Sequence, residues 1–293
     1  MKSTLRTNNP KTMILRLFLL VGSMVISLSF TEKMTPDNSQ EDKGFNMEKD
    51  LLLGQFDCKT DVDDLHTVAA FVTLFSNSRF KTVNYHAVAG TYGIQEGLYV
   101  PPNPLFELAF GDNWTDAHNN VAAAVNQVKS FVKSTFDQQG DVWIAEAGQS
   151  DFTASLIKAV HADFPDINTL ERIHVVQHSD WNEEVTSPES LAFVKKHSDY
   201  IKIPDGNAVG NGTPGFRDPE FDNWNAYISE PKLIEIWERA IEISDAHNGK
   251  EGRYNNEAIL AGGLDFSDLS EVCWILGIQD IKDATEFFNL YSN

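Results

Sequence analysis

An open, mostly parallel α/β sheet flanked by helices is the fold class this sequence predicts. Short apolar runs alternate with amphipathic segments from residue 50 to the end, with no internal repeat, which is the pattern of a parallel sheet covered by helices. Hydrophobic residues make up 42% of the 293 and aromatic residues 11%, enough for a core of that size. Polar clusters follow directly on the apolar runs, where a parallel sheet places its ligand crevice.

The elements follow in order. Residues 1–30 carry Lys2, Arg6, Lys11 and Arg16, no acidic residue, and the apolar run from Leu17 to Leu28. A cationic start, a short apolar stretch and small residues (Ser27, Ser29) read as a secretory signal, so the rest is expected to be exported, periplasmic or secreted. An uncleaved N-terminal anchor is the alternative, although the run falls short of the roughly 20 residues a span needs. Residues 31–48 are polar without hydrophobic period and read as a flexible linker. The remaining 49–293 read as one domain.

Within it, 50–56 is a strand and 65–74 a helix. Residues 80–88 form the next strand, and 121–136 a helix with Val121, Val125, Val128, Val132 and Phe136 on one face. Strands at 142–145 and 173–177 enclose a helix at 152–160. A helix at 188–196, with Pro188 in its first turn, precedes a strand at 200–203. Amphipathic helices at 233–243 and 269–276 complete the domain. Residues 92–120 read as a surface loop covering the site, punctuated by Pro101, Pro102 and Pro104.

Charge narrows the function. The chain carries 23 Lys and Arg against 43 Asp and Glu, a net −20, with a pI near 4.6. Removing the four N-terminal cations leaves 19 against 43. A phosphate backbone needs a basic face, so nucleic acid is excluded as partner. Neutral or cationic small ligands and divalent cations are favoured. Two cysteines exclude a Cys-rich zinc site, though export makes a Cys58–Cys273 disulfide permissible.

The informative cluster is Asp57-Cys58-Lys59-Thr60-Asp61-Val62-Asp63-Asp64, between the first strand and first helix. Four carboxylates this close repel and raise one another's pKa unless a cation neutralises them. Oxygen ligands suit Ca²⁺ or Mg²⁺ better than zinc. An EF-hand is excluded, since the loop lacks its turn glycine and late Glu. The alternative is an acidic helix start that merely complements the dipole.

Asp57-x-Lys59-x-Asp61-x-Asp63-Asp64 resembles the N-terminal calcium motif of the nucleoside hydrolases, the inosine–uridine-preferring type and its distant relatives. Three later segments resemble that family in order. Residues 142–156, through Gly148, Gln149, Ser150 and Asp151, resemble its central strand and Gly-Pro turn. Asp205-Gly206-Asn207 resembles the segment with a ribose-binding Asn, and Asp265-Phe266-Ser267-Asp268-Leu269 the late His-Asp-Pro-Leu segment. The resemblance implies an open Rossmann-like sheet and a Ca²⁺-dependent hydrolase that cleaves the N-glycosidic bond of ribonucleosides by attack of metal-bound water. It implies Asp64, Asp268 and the backbone carbonyl of Asp151 as metal ligands, with Asp63 and Asn207 on the sugar.

The departures are specific. Lys59 stands where the family has an Asp that is both ligand and base. Asp61 replaces a Gly and is expected to supply the missing charge, which leaves Asp57 and Asp61 as the candidates for base and additional ligands. Ser267 replaces the late His, and Thr91 stands near a sugar-binding Asn. His178 and Asn182, after the strand at 173–177, are expected on the rim as substrate contacts, with His178 standing in for the missing His and Trp181 stacking on a base. The glycine-rich 206–215 lacks a phosphate-loop pattern and reads as a mobile loop near the site. The implied partner is a small-molecule nucleoside or related glycoside, with no membrane contact after signal removal and a homo-oligomer allowed. The alternative functions are a metal-dependent hydrolase of another glycoside and a non-catalytic sugar-binding relative.

Overall fold

Six parallel strands define the fold of this computed structural model, which describes residues 44–208 and 210–292. The segment read as a signal and most of that read as a linker lie outside the described residues. Residues 44–48 do not belong to a linker: Phe45 packs edge-on against Trp143, and the Asn46 N–H donates to Asp50 Oδ2 at 2.8 Å.

In chain order the elements are β1 (Leu51–Phe56), α1 (Asp63–Ser76), β2 (Asn84–Ala89), α2 (Asn103–Phe110), β3 (Trp114–Asp116), α3 (Val121–Asp137), β4 (Val142–Ala147) and α4 (Asp151–Asp163). There follow α5 (Thr169–Arg172), β5 (Ile173–Gln177), α6 (Asp180–Glu184), α7 (Pro188–His197), β6 (Asp199–Lys202) and β7 (Arg217–Asp218). The last are α8 (Pro231–His247), α9 (Glu257–Leu260), β8 (Leu264–Asp265), α10 (Ser270–Ile275) and α11 (Ala284–Tyr291).

The main sheet has the order β3-β2-β1-β4-β5-β6, and β7 pairs antiparallel with β8 apart from it. The chain winds outward from β1 to β3, then returns to β4 on the other side of β1. The crevice of such a sheet lies at the carboxyl ends of β1 and β4, where the winding reverses. Phe56 registers with both Ala89 and Ala147, so the next residue, Asp57, emerges level with Gly90 and Gly148.

Alternate residues of each central strand feed opposite layers, which is why β1 and β4 are buried throughout. Leu52, Phe56, Trp143 and Ala145 face the layer of α1, α2, α8, α10 and α11. Leu51, Leu53, Val142 and Ile144 face that of α3, α4 and α7. Trp237 of α8 is fully buried and donates its indole N–H to Thr73 of α1 at 2.9 Å.

Several expectations need correcting. The stretch 92–120 is not a loop throughout: Phe106 and Phe110 of α2 pack on Phe56, and β3 extends the sheet. Its prolines fit because a helix tolerates proline in its first turn. The last helix is α11, whose Phe287 and Phe288 enter the core. Cys58 and Cys273 are buried free thiols. No helix among the described residues is long and apolar enough to cross a membrane.

A polar row crosses the face of the second layer. Glu146 Oε2 accepts from Ser150 Oγ at 2.7 Å and Gln177 Nε2 at 2.9 Å, while Oε1 is buried without a partner. Burial pushes the Glu146 carboxyl up to about 7. The folded form therefore holds a proton that the unfolded chain releases near 4.5, so its contribution to stability is greatest below 4.5 and is lost as pH rises to 7. Glu146→Gln is expected to gain stability over the parent across that window, with a ceiling of about 3 kcal/mol. Urea unfolding at pH 4.5 and 8 checks it; an unchanged difference between the two would refute the assignment.

Candidate metal centre and its cavity

β1 ends at Phe56, and the backbone turns at once, with Cys58 in the left-handed region at φ +52°. That turn aims the Cys58 N–H at Asp64 Oδ2, 2.6 Å away, and the Lys59 N–H at Asp57 Oδ1, 2.7 Å away. Asp63 begins α1, and its Oδ1 accepts the Asp64 N–H at 3.0 Å. The other end of the site arrives from far along the chain: Asp268 lies in the single 3₁₀ turn Ser267–Leu269 that follows β8.

Asp63, Asp64 and Asp268 each place a carboxylate oxygen within 4.8 Å of the others. Asp57, expected as a ligand, lies outside this group and adjoins Asp64. Burial first, then the neighbouring negative charges, pushes Asp63 and Asp64 well above the ordinary carboxylate range. Asp64 Oδ1 is buried and has no partner. A buried carboxylate oxygen without a donor is costly, and here its neighbours are also carboxylates. Hard oxygen donors converging on one position are the donor set for Ca²⁺ or Mg²⁺, and the residues present fit such an ion.

The cluster floors a cavity of about 360 Å³, within the small-molecule range of roughly 300–1,000 Å³. One wall is His178, at the carboxyl end of β5. Its Nε2 stands 3.3 Å from Asp268 Oδ1, and its Nδ1 3.7 Å from Glu271 Oε1. Burial would lower this imidazole, but Glu271 and Asp268 outweigh it and hold it up at about 9. Asn207 also lines the cavity, and its Oδ1 accepts from Arg217 Nη1 at 3.2 Å and Ser267 Oγ at 3.1 Å. Those bonds turn its amide nitrogen toward Asp205, at 3.2 Å. Trp181 and Tyr254, each about half exposed, stand at the mouth.

Asp61 also lines the cavity but lies outside the three-carboxylate group. Its Oδ1 accepts from the Val62 N–H at 2.6 Å and from Asn256 at 3.2 Å. Burial, then Asp265, pushes its carboxyl up to about 7. Lys59 places its ammonium over the Tyr92 ring, 4.6 Å from the centroid.

Asp151 is corrected as a ligand. It is the first residue of α4, where carbonyls point along the helix, and its own accepts the Ser155 hydroxyl at 3.0 Å. Its carboxylate holds Ser187 instead. Asn182 lines the cavity, yet its amide is taken by Gln149 at 3.3 Å and the His178 carbonyl at 3.4 Å. Gly206 is packed rather than mobile, since a Cβ there would lie 2.6 Å from His178 Nδ1. Thr91 is buried with its hydroxyl unpartnered.

Sequence reasoning missed Arg217, Asp265, Asn256, Gln95 and Gln149. Gln149 and Asp265 stand within segments the sequence singles out, without a role assigned to them; Arg217, Asn256 and Gln95 are isolated in sequence. Compared with protein-family models, with curated proteins and with solved structures, the chain matches none.

Proposed function

We propose that this chain is a calcium-dependent hydrolase of the N-glycosidic bond of ribonucleosides. The observation that carries the reading is Asp64 Oδ1, a buried carboxylate oxygen with no partner in a carboxylate cluster beneath a nucleoside-scale cavity. Its place beside the winding reversal, where α/β sheets bind ligands, supports the reading, as does the family resemblance of the motif.

Asp63, Asp64 and Asp268, with Asp57 beside them, would hold the ion. Bound calcium supplies a Lewis acid that makes water a better nucleophile near neutral pH. Asp63 and Asn207 bind and orient the sugar from floor and wall. Asp61, half-buried on the cavity wall, takes the proton of the attacking water. The C–N bond breaks as the C–O bond forms, and the floor carboxylates stabilise the positive charge that grows on the ribosyl ring. The departing base leaves with the bonding pair past His178 and Trp181.

The test is ribose release from a nucleoside panel by residues 31–293, with calcium or with chelator. Calcium-dependent release is expected, and Asp61→Asn should lower kcat by about 10²–10⁴ while calcium still raises Tm. No release from any nucleoside, with the calcium-induced rise in Tm retained, would overturn hydrolysis and leave a sugar-binding protein.

A further inference from the structure

Asp57 is held differently from every other carboxylate of the floor. Its Oδ2 accepts two side-chain amides, Gln149 Nε2 at 2.9 Å and Gln95 Nε2 at 3.1 Å. The two glutamines come from different rim segments, after β4 and after β2, and both are buried. Gln95 also donates to Gln149 Oε1. The Gly93 N–H lies 2.9 Å from Gln95 Oε1 and 3.0 Å from Gln149 Oε1. The remaining Gln149 donor reaches Asn182 Oδ1, after β5. One pair of amides thus ties four strand ends to a single carboxylate.

The surroundings leave this arrangement little freedom. A Cβ on Gly93 would meet the Val185 carbonyl at 2.4 Å, and one on Gly148 would meet Asp57 Cβ at 2.9 Å. Beneath, Gln177 Nε2 donates to the Gly148 carbonyl at 2.9 Å and Ser150 Oγ to Glu146, so the turn that presents Gln149 is pinned from the far side of the sheet. An acceptor loaded with three N–H donors cannot rotate without breaking several bonds at once.

We propose that Gln149 and Gln95 form an amide clamp that fixes Asp57 beside the carboxylate trio of Asp63, Asp64 and Asp268, and so couples ion binding to order in the rim. The two glutamines are positioning residues that act through Asp57. The proposal rests on the cation reading of the floor, and deepens it by naming what orients the site. Residues that orient metal ligands through hydrogen bonds are worth about 10–100-fold in metal affinity.

The test is calcium titration by calorimetry of the 31–293 chain, below Tm, with hydrogen exchange of residues 91–100 in parallel. Gln149→Leu keeps the bulk and removes the donors; it is expected to weaken calcium about 10–100-fold and to speed exchange at Gly93. Gln95→Leu removes the partner donor from another segment and is expected to act in the same direction, which decides the matter should the first variant not fold. Ser150→Ala loosens the same turn without touching Asp57, and should lower Tm while leaving calcium affinity within about twofold. Affinity unchanged in both glutamine variants, or weakened equally by Ser150→Ala, would overturn the clamp. Absence of calcium binding by the unaltered chain would overturn the cation reading and the clamp's role with it, and is seen before any variant is made.

Discussion

Asp64→Asn is expected to reverse its effect on stability according to whether calcium is present. Without the ion, Asp64 Oδ1 is a buried acceptor with no donor, facing Asp57, Asp63 and Asp268. Replacing the carboxylate by an amide removes the like-charge repulsion and supplies an N–H for a neighbour, so the calcium-free variant should be more stable by about 1–3 kcal/mol. With calcium at a hundredfold excess over Kd, the parent gains about 2.7 kcal/mol and the variant loses most of that gain. Ribose release should fall to background. Thermal unfolding with calcium and with chelator reads both halves, and a variant less stable in chelator would show that Asp64 is satisfied without an ion.

The second large effect concerns Gly206. A Cβ there would lie 2.6 Å from His178 Nδ1, 2.6 Å from the Ser267 carbonyl and 2.7 Å from Ser270 Oγ. The carbonyl is backbone and cannot rotate away, so Gly206→Ala must push His178 or the turn carrying Asp268. Overpacking of this kind costs about 1–3 kcal/mol. Because His178 Nε2 stands 3.3 Å from Asp268, the shift should also lower ribose release by at least about tenfold, since misplacement by an ångström at a site can cost 10²-fold. Urea unfolding and ribose release check it. A change of stability under about 0.5 kcal/mol would mean that the segment yields freely, as the glycine-rich composition first suggests.

The floor of the site was legible because its residues are close in sequence. Asp57, Asp61, Asp63 and Asp64 fall in eight residues between an apolar strand and a helix, and helix periodicity places that junction without tertiary information. His178 was legible for the same reason, as the residue just past the strand ending at Gln177. The walls were not. Arg217 meets Asp265 through a two-residue antiparallel pair, too short to leave a periodic trace. Asn256 reaches both Asp61 and Asp265 from a single helical turn.

The two errors of position have related causes. Asp151 stands beside the Gly148 turn in sequence, but the helix starts at that residue and carries its carbonyl along the helix axis. The prolines around α2 read as loop signals, yet lie in and before the first turn of a helix, where the missing N–H costs nothing. In both cases one residue of helix boundary decides the outcome, and pattern alone does not fix boundaries that finely.

By itself the sequence determined what is local: the alternation that yields a parallel sheet, an acidic junction at a strand end, and a net charge of −20. Only the tertiary structure decided which strands lie side by side, and hence that β1 and β4 are neighbours and that Gln149 faces Asp57 across 92 residues. It also decided that Asp63 and Asp268 join Asp64 in the carboxylate cluster while Asp57, Asp61 and Asp151 stay outside it. The reason is physical. Periodicity reports which face of an element is apolar, whereas pairing of buried polar atoms depends on where distant elements pack, and each such pair is set by the accumulated burial of the core around it.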